Sequence, residues 1–194
     1  MASHLDPYSP QRIADRFMIQ DLMYRWCRAV DRLDRQGMLD IFWPGAIDSH
    51  GPYIGPAEGL VDWILERHKP IAVSSHFIGN LLIEFADENT ALVESYVRTI
   101  QQYPPHAKQQ LAQLTGGAAG RTEAAVDMFT SSRYIDRVER RDGQWRIARR
   151  DLAQDWKQIV EVQHQALQPR EGWIIGRRDG EDAVQTIRRG LGLG

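Results

Sequence analysis

Asp31, His76 and Arg150 are the residues of this sequence best placed to do chemistry together. Asp31 ends an N-terminal amphipathic helix. His76 opens a strand in Ser75-His76-Phe77-Ile78-Gly79-Asn80, and Arg150 closes the last strong strand, which runs from Gln144 to Asp151. A carboxylate, an imidazole and a guanidinium converging in one cavity make a proton-transfer site with an anion stabiliser. Asp31 falls on the stripe Ile13, Phe17, Gln20, Tyr24, Cys27, at three- and four-residue steps. A carboxylate on an inward stripe is costly unless paired; the plain alternative is a helix-terminal Asp in water. For His76 the alternative is a satisfied core or edge histidine. An Asp31 in reach would fix the imidazole tautomer and raise its basicity. Arg150 shares strand parity with Arg146 and Ala148, opposite Trp145, Ile147 and Arg149, and the alternative is an exposed strand arginine.

Further residues are candidates for holding a substrate. Asp48 and His50 share one strand face near Tyr53 and read as pocket hydrogen bonders. A metal set built on His50 and His76 lacks the close ligand spacing of known sites, so no metal is expected. No nucleotide or flavin motif is visible either, so no cofactor is expected and side chains must carry any reaction. Met128, Thr130, Ser132 and Tyr134 share the parity of one strand and are expected to line the interior. Tyr24, Tyr96 and Tyr134 could donate to a substrate oxygen. Arg98, on the face of Tyr96, could hold an anionic or phenolic group. Cys27 reads as a small core residue rather than a nucleophile.

The elements that must position these groups read as helices followed by long strands. Residues 1–9 form a loose arm. Ser9-Pro10 starts a helix that runs to about Arg35, Ser as N-cap and Pro as first helical residue. Met38 to Trp43 reads as a short second helix, Ala46 to His50 as a strand. A third helix begins near Gly55 and carries Leu60, Trp63, Ile64 and Arg67 up to Pro70. Strands follow at His76–Phe85, Ala91–Tyr103 and Glu123–Arg140, and Arg141-Asp142-Gly143 is a hairpin turn. Pro104 to Thr122, with Gly116-Gly117-Ala118-Ala119-Gly120, reads as a mobile insertion or lid. After Asp155 the strand pattern stops; Trp156 to Leu167 reads as a helix, and the end as poorly ordered or partner-bound. The layout is an arm (1–9), a domain (10–160) and a tail (161–194). This order is α+β, a curled sheet around a long N-terminal helix with an open-mouthed cone.

Bulk properties narrow the partners. The 194 residues carry a net charge of −2 and a pI of about 6.3, which argues against nucleic acid or an anionic membrane as a partner. A single cysteine excludes an internal disulfide and a multi-Cys zinc site. With no apolar run long enough to span a bilayer and no signal-peptide pattern at Met1 to Pro7, a cytoplasmic protein is expected. The six Trp, six Tyr and five Phe favour an aromatic-lined interior.

The segments Ile19 to Leu22, Val30 to Asp34 with Phe42, Ser75-His76-Phe77 with Asn80, Tyr134 with Asp136, and Arg140 to Trp145 together resemble SnoaL-like proteins of the nuclear transport factor 2-like superfamily. The resemblance covers roughly residues 10–155. It implies a cone-shaped α+β barrel, a strongly bent antiparallel or mixed sheet wrapped around N-terminal helices, with an apolar pocket. Within that superfamily the chain is most similar to cofactor-free lyases: hexachlorocyclohexane dehydrochlorinase, scytalone dehydratase and bile acid dehydratase. The dehydrochlorinase pattern falls on Asp31, His76 and Arg150. It implies His76 as base, Asp31 as its orienting partner and Arg150 as support for the departing anion. Trp26 stands where that enzyme has a polar pocket residue, and 104–122 and the tail have no counterpart. The implied activity is elimination — dehydration, dehydrohalogenation or loss of a one-carbon fragment — on a hydrophobic aromatic substrate such as a lignin-type diaryl diol. The rivals are a ketosteroid-type isomerase, a non-catalytic ligand binder and a dioxygenase small subunit. Relatives imply a homo-oligomer, dimer or trimer.

Overall fold

Ser9 opens the first helix as its sequence expects: its Oγ accepts from the Arg12 amide, and Pro10 takes the first helical position. The computed structural model describes residues 6–116, 123–162 and 171–193. Helix α1 spans Pro10–Asp31 and α2 Arg35–Leu39; strand β1 (Phe42–His50) and β2 (Tyr53–Pro56) lead into α3 (Ala57–His68). Strands β3 (Val73–Phe85) and β4 (Thr90–Tyr103), a 3-10 turn at Pro105–Ala107, α4 (Lys108–Thr115), β5 (Val126–Arg141), β6 (Gln144–Glu161) and α5 (Ala183–Gly190) complete the order. The six strands form one curved sheet, β2-β1-β6-β5-β4-β3; β1 pairs with β6 in parallel and the other neighbours are antiparallel. The fold is the α+β cone that the sequence predicts.

The main core lies between the sheet's inner face and helices α1 and α3. The inward face of α1 is Ile19, Leu22, Met23, Trp26, Ala29 and Val30, whereas Ile13, Phe17 and Tyr24 of the predicted stripe are exposed. The two stripes are adjacent on the helix, and the larger apolar area of the Trp26 side is what the sheet covers. At the β5–β6 turn, Asp142 and Gly143 both take positive φ (50° and 77°), the geometry of a tight hairpin. Trp145, just past it, donates Nε1 to the buried Asp15 of α1 at 2.9 Å and so fastens the hairpin to the helix.

Register shifts along the strands set which residues point inward. Register shifts between Ile78 and Leu81, so Ile83 is buried and Leu82, which simple alternation along the strand would place on the face of His76, is 56% exposed. A second shift, where Ala148 lies opposite the Arg137–Val138 step, puts Arg150 on the inner face with Trp145 and Ile147 instead of with Arg146. A third lies opposite Ser131–Ser132.

Other boundaries differ from the sequence reading. Phe42 and Trp43 belong to β1 rather than to a second helix, and Trp156 continues β6 to Glu161 rather than starting a helix. The stretch after Pro104 is partly helical, because Leu111 of α4 is fully buried in a second small core with Tyr103, Val126 and Met128. The expected glycine-rich hinge at 117–120 lies outside the described residues. The tail folds back at Arg177–Asp182 and forms α5.

Candidate active site

The cone encloses a cavity of about 170 Å³. Its apolar wall comes from α1 (Trp26, Val30), α3 (Trp63, Ile64) and the sheet (Val97, Leu152). Met128, Thr130, Ser132 and Tyr134 all line it, as their shared parity on β5 requires. Leu114 of α4 closes part of the rim, and Lys157 of β6 donates Nζ to the Leu114 carbonyl at 2.8 Å.

Asp31 and His76 meet here. The end of α1 brings the carboxylate of the buried Asp31 against the start of β3. Asp31 Oδ1 accepts from His76 Nδ1 at 2.7 Å and from Ser74 Oγ at 2.8 Å; Oδ2 accepts from the His76 amide at 2.8 Å. Burial pushes the Asp31 carboxyl up, but the hydrogen bonds and charge of His76 and the Ser74 hydroxyl outweigh it, and the net direction is down. An ionised Asp31 on Nδ1 assigns the proton to that nitrogen and leaves Nε2 as the basic atom of a ring that lines the cavity.

A second carboxylate–imidazole pair reaches the same cavity through its histidine alone; Asp48, expected as a pocket hydrogen bonder, does not line it. Asp48 is fully buried and its Oδ1 lies 3.2 Å from His50 Nδ1; His50 lines the cavity with its ring 6.2 Å from that of Tyr134. Tyr134 accepts at its hydroxyl from Trp26 Nε1 at 3.1 Å, and burial pushes its pKa up, so it stays a protonated donor.

Arg150 is placed differently from its expected role beside a leaving group. It is 0% exposed and does not line the cavity. Nε and Nη2 donate to the two oxygens of Asp136 at 2.7 Å each, and the guanidinium lies 4.0 Å from the Tyr134 ring centroid and 5.0 Å from that of Trp26. Burial pushes the Asp136 carboxyl up and the Arg150 fork opposes it; the geometry is that of a bidentate ion pair. Arg150 therefore backs the Tyr134 and Trp26 rings rather than touching a ligand. Tyr24, Tyr96 and Arg98 are also outside the cavity. Tyr24 is half exposed and bonds Gln20, and Tyr96 and Arg98 alternate outward between the inward Ser95, Val97 and Thr99. Cys27 is buried, with its thiol pushed up to about 12 chiefly by burial, and is inert.

Residues missed in the sequence complete the surroundings. Ser74 sits two positions before His76, on the same strand face. Gln101 of β4 lies between His68 Nε2 (3.4 Å) and Ser74 Oγ (3.5 Å). Arg67 and His68 end α3 beside the cavity, and Arg67 was visible in the sequence as a charge on the apolar stripe of that helix. Arg178 of the tail donates Nε to the Asp31 carbonyl at 3.0 Å and Nη1 to the His68 and Ile71 carbonyls at 2.8 and 2.7 Å. No sequence signal marks a contact across 147 positions. Among the described residues no helix is long and apolar enough to cross a membrane.

Comparison with known proteins agrees with this architecture. No curated protein matches the chain. Among solved structures, a type-2 hexachlorocyclohexane dehydrochlorinase is similar at 21% identity and a TM-score of 0.64, over 80% of this chain and 95% of the other. A type-3 form of that enzyme from Novosphingobium barchaimii gives 20%, 0.60, 81% and 97%. A scytalone dehydratase candidate from Novosphingobium aromaticivorans gives 20%, 0.60, 83% and 95%. These likenesses establish the fold. The model of the SnoaL-like domain matches residues 11–151, most of the chain, and the protein belongs to that family.

Proposed function

We propose that the cavity is the active site of a cofactor-independent lyase that eliminates a small group from a hydrophobic, aromatic substrate. The observation that carries this reading is the Asp31–His76 pair: a buried carboxylate with both oxygens engaged, holding an imidazole whose other nitrogen serves the cavity. His76 Nε2 removes the proton of an activated C–H or O–H. From a C–H, the electron pair forms the new double bond as hydroxide or halide leaves; from the O–H of a hydroxymethyl group, the oxygen pair forms the carbonyl of departing formaldehyde, and the released C–C pair forms the new double bond as a β-hydroxide leaves. His50, held by Asp48, supplies the proton that a hydroxide leaving group takes with it. Tyr134 and Ser132 donate to substrate oxygen. Positioned acid–base groups of this kind contribute about a hundred- to ten-thousand-fold.

The size of the cavity narrows the substrate. A cavity of about 150 Å³ holds a benzene ring, so 170 Å³ encloses one substituted ring. A diaryl substrate would place its second ring at the mouth, against Leu114 and Lys157. The names of the structural neighbours, a dehydratase and dehydrochlorinases, support an elimination.

The test uses monoaryl compounds with a hydroxyl or halide β to an acidic C–H, read by absorbance of the new conjugated double bond and by exchange of the acidic proton in heavy water. Turnover by the wild type and loss of both signals in a folded His76→Ala variant are expected. Proton exchange with return to carbon and no elimination would make the protein an isomerase. Binding with neither signal would make it a carrier.

A further inference from the structure

At the end of the cavity formed by α3 lies a positive charge without a counter-ion. Arg67 lines the cavity and is 8% exposed. Its Nη2 donates to His68 Nε2 at 2.8 Å, its guanidinium carbon lies 4.5 Å from the Trp63 ring centroid, and Tyr103 lies beside it. Nε and Nη1 have no acceptor. The partner on Nη2 is itself neutral: burial, then the adjoining guanidinium, push the His68 imidazole well below its ordinary range. No carboxylate pairs with Arg67 among the described residues, and the segments outside them, 1–5, 117–122, 163–170 and 194, contain no Asp or Glu. Asp31, the acid linked to this end through Ser74 and Gln101, is fully engaged by Ser74 and His76. Among the described residues no acidic side chain lines the cavity, whereas Arg67 does so within and Lys157 at the rim.

A buried guanidinium is expensive unless an anion pairs with it. Such an arrangement is what a site looks like when the ligand brings the missing charge. The planar fork of arginine matches a carboxylate in particular, and Trp63 already covers one face of the guanidinium, which leaves its edge for hydrogen bonding.

We propose that Arg67 anchors the carboxylate of an aromatic acid, so that the cavity selects anionic aryl substrates. This rests on reading the cavity as a substrate site, not on the reaction performed there. Lys157 at the mouth attracts the anion but does not hold it.

Benzoate and benzamide have nearly the same shape and differ in charge, which makes them the probes. Each is titrated into the 194-residue protein by calorimetry and by intrinsic tryptophan fluorescence. Benzoate is expected to bind at least about tenfold more tightly than benzamide, the range of a hydrogen-bonded charge pair. Arg67→Met should abolish the preference and Arg67→Lys should keep only part of it, since an ammonium lacks the fork. Lys157→Met should change benzoate affinity less than about threefold, as a screened rim charge does. His76→Ala should retain the preference even where turnover is lost, which separates this proposal from the lyase reading. Equal affinities for the two probes in the wild type, binding of neither, or a preference that survives in Arg67→Met would each overturn it. The first two results need no variant, so the test holds even where Arg67→Met misfolds.

Discussion

Asp31→Asn replaces one oxygen of a carboxylate that accepts three hydrogen bonds, from Ser74 Oγ, His76 Nδ1 and the His76 amide. The amide side chain keeps one acceptor oxygen and turns an NH₂ toward a donor. At least one bond to a charged group is lost, worth about 1.5–3 kcal/mol. In a domain of this size that lowers Tm by about 3–12 °C. The amide also no longer fixes the tautomer in which Nδ1 carries the proton, and turnover should fall about a thousand- to ten-thousand-fold. The pH dependence isolates the charge. The folded pKa of Asp31 is depressed, so its contribution is fully present above the unfolded value of about 4 and is lost as pH falls through the folded one. Thermal melts of wild type and variant should therefore be well separated above about pH 5 and converge on acidification. A gap that stays constant or widens down to pH 3 would refute the assignment of an ionised, hydrogen-bonded Asp31.

Removing one partner of the buried Arg150–Asp136 pair should be severe: Asp136→Asn or Arg150→Met should cost about 3–5 kcal/mol in denaturant melts, while the double change Asp136→Leu with Arg150→Met should recover much of it. Leu111→Ala empties the second small core and should cost about 2–5 kcal/mol by the same melts. Replacing residues 106–120 with a short Gly-Ser turn should therefore lower Tm as well as turnover, and turnover lost with an unchanged Tm would show that α4 acts as a lid alone. Tyr134→Phe strips the acceptor from the buried Trp26 indole and should cost about 1–3 kcal/mol, read as a Tm shift in ligand-free protein.

Much of this fold is legible in the sequence, and the failures have identifiable causes. The cap at Ser9, the hairpin at Asp142-Gly143 and the inward parity of Met128, Ser132 and Tyr134 are local, and they appear where local rules put them. Parity arguments fail beyond a bulge. Leu82 points out and Arg150 points in because one extra residue reverses the face of everything after it. The stripe on α1 was misjudged by one helical neighbour, because both rows are apolar and only the sheet decides which is covered. Asp31 nonetheless reaches His76, since the C-terminal turn of the helix faces β3 whichever row is buried. Tyr96 and Arg98 were read by residue type alone, and alternation along β4 turns both outward. Ser74, Gln101 and Arg178 act through contacts that spacing does not encode.

Arg178 gives this chain a particular order of assembly. Helices α1 and α3 end in carbonyls that have no partner within the helix, and one guanidinium far along the chain satisfies Asp31, His68 and Ile71 together. During synthesis at about 5–20 residues per second, the last strand, which ends at Glu161, leaves the ribosome about one to three seconds before that guanidinium does. Until then the Asp31 carbonyl keeps the 3.4 Å bond from Arg32 Nη1 and lacks its shorter one. Docking of the tail is a long-range, late contact that gives no help to the folding nucleus and slows unfolding instead. A protease that trims the chain before Arg178 would remove this support from the Asp31 end of α1 without touching the cavity lining.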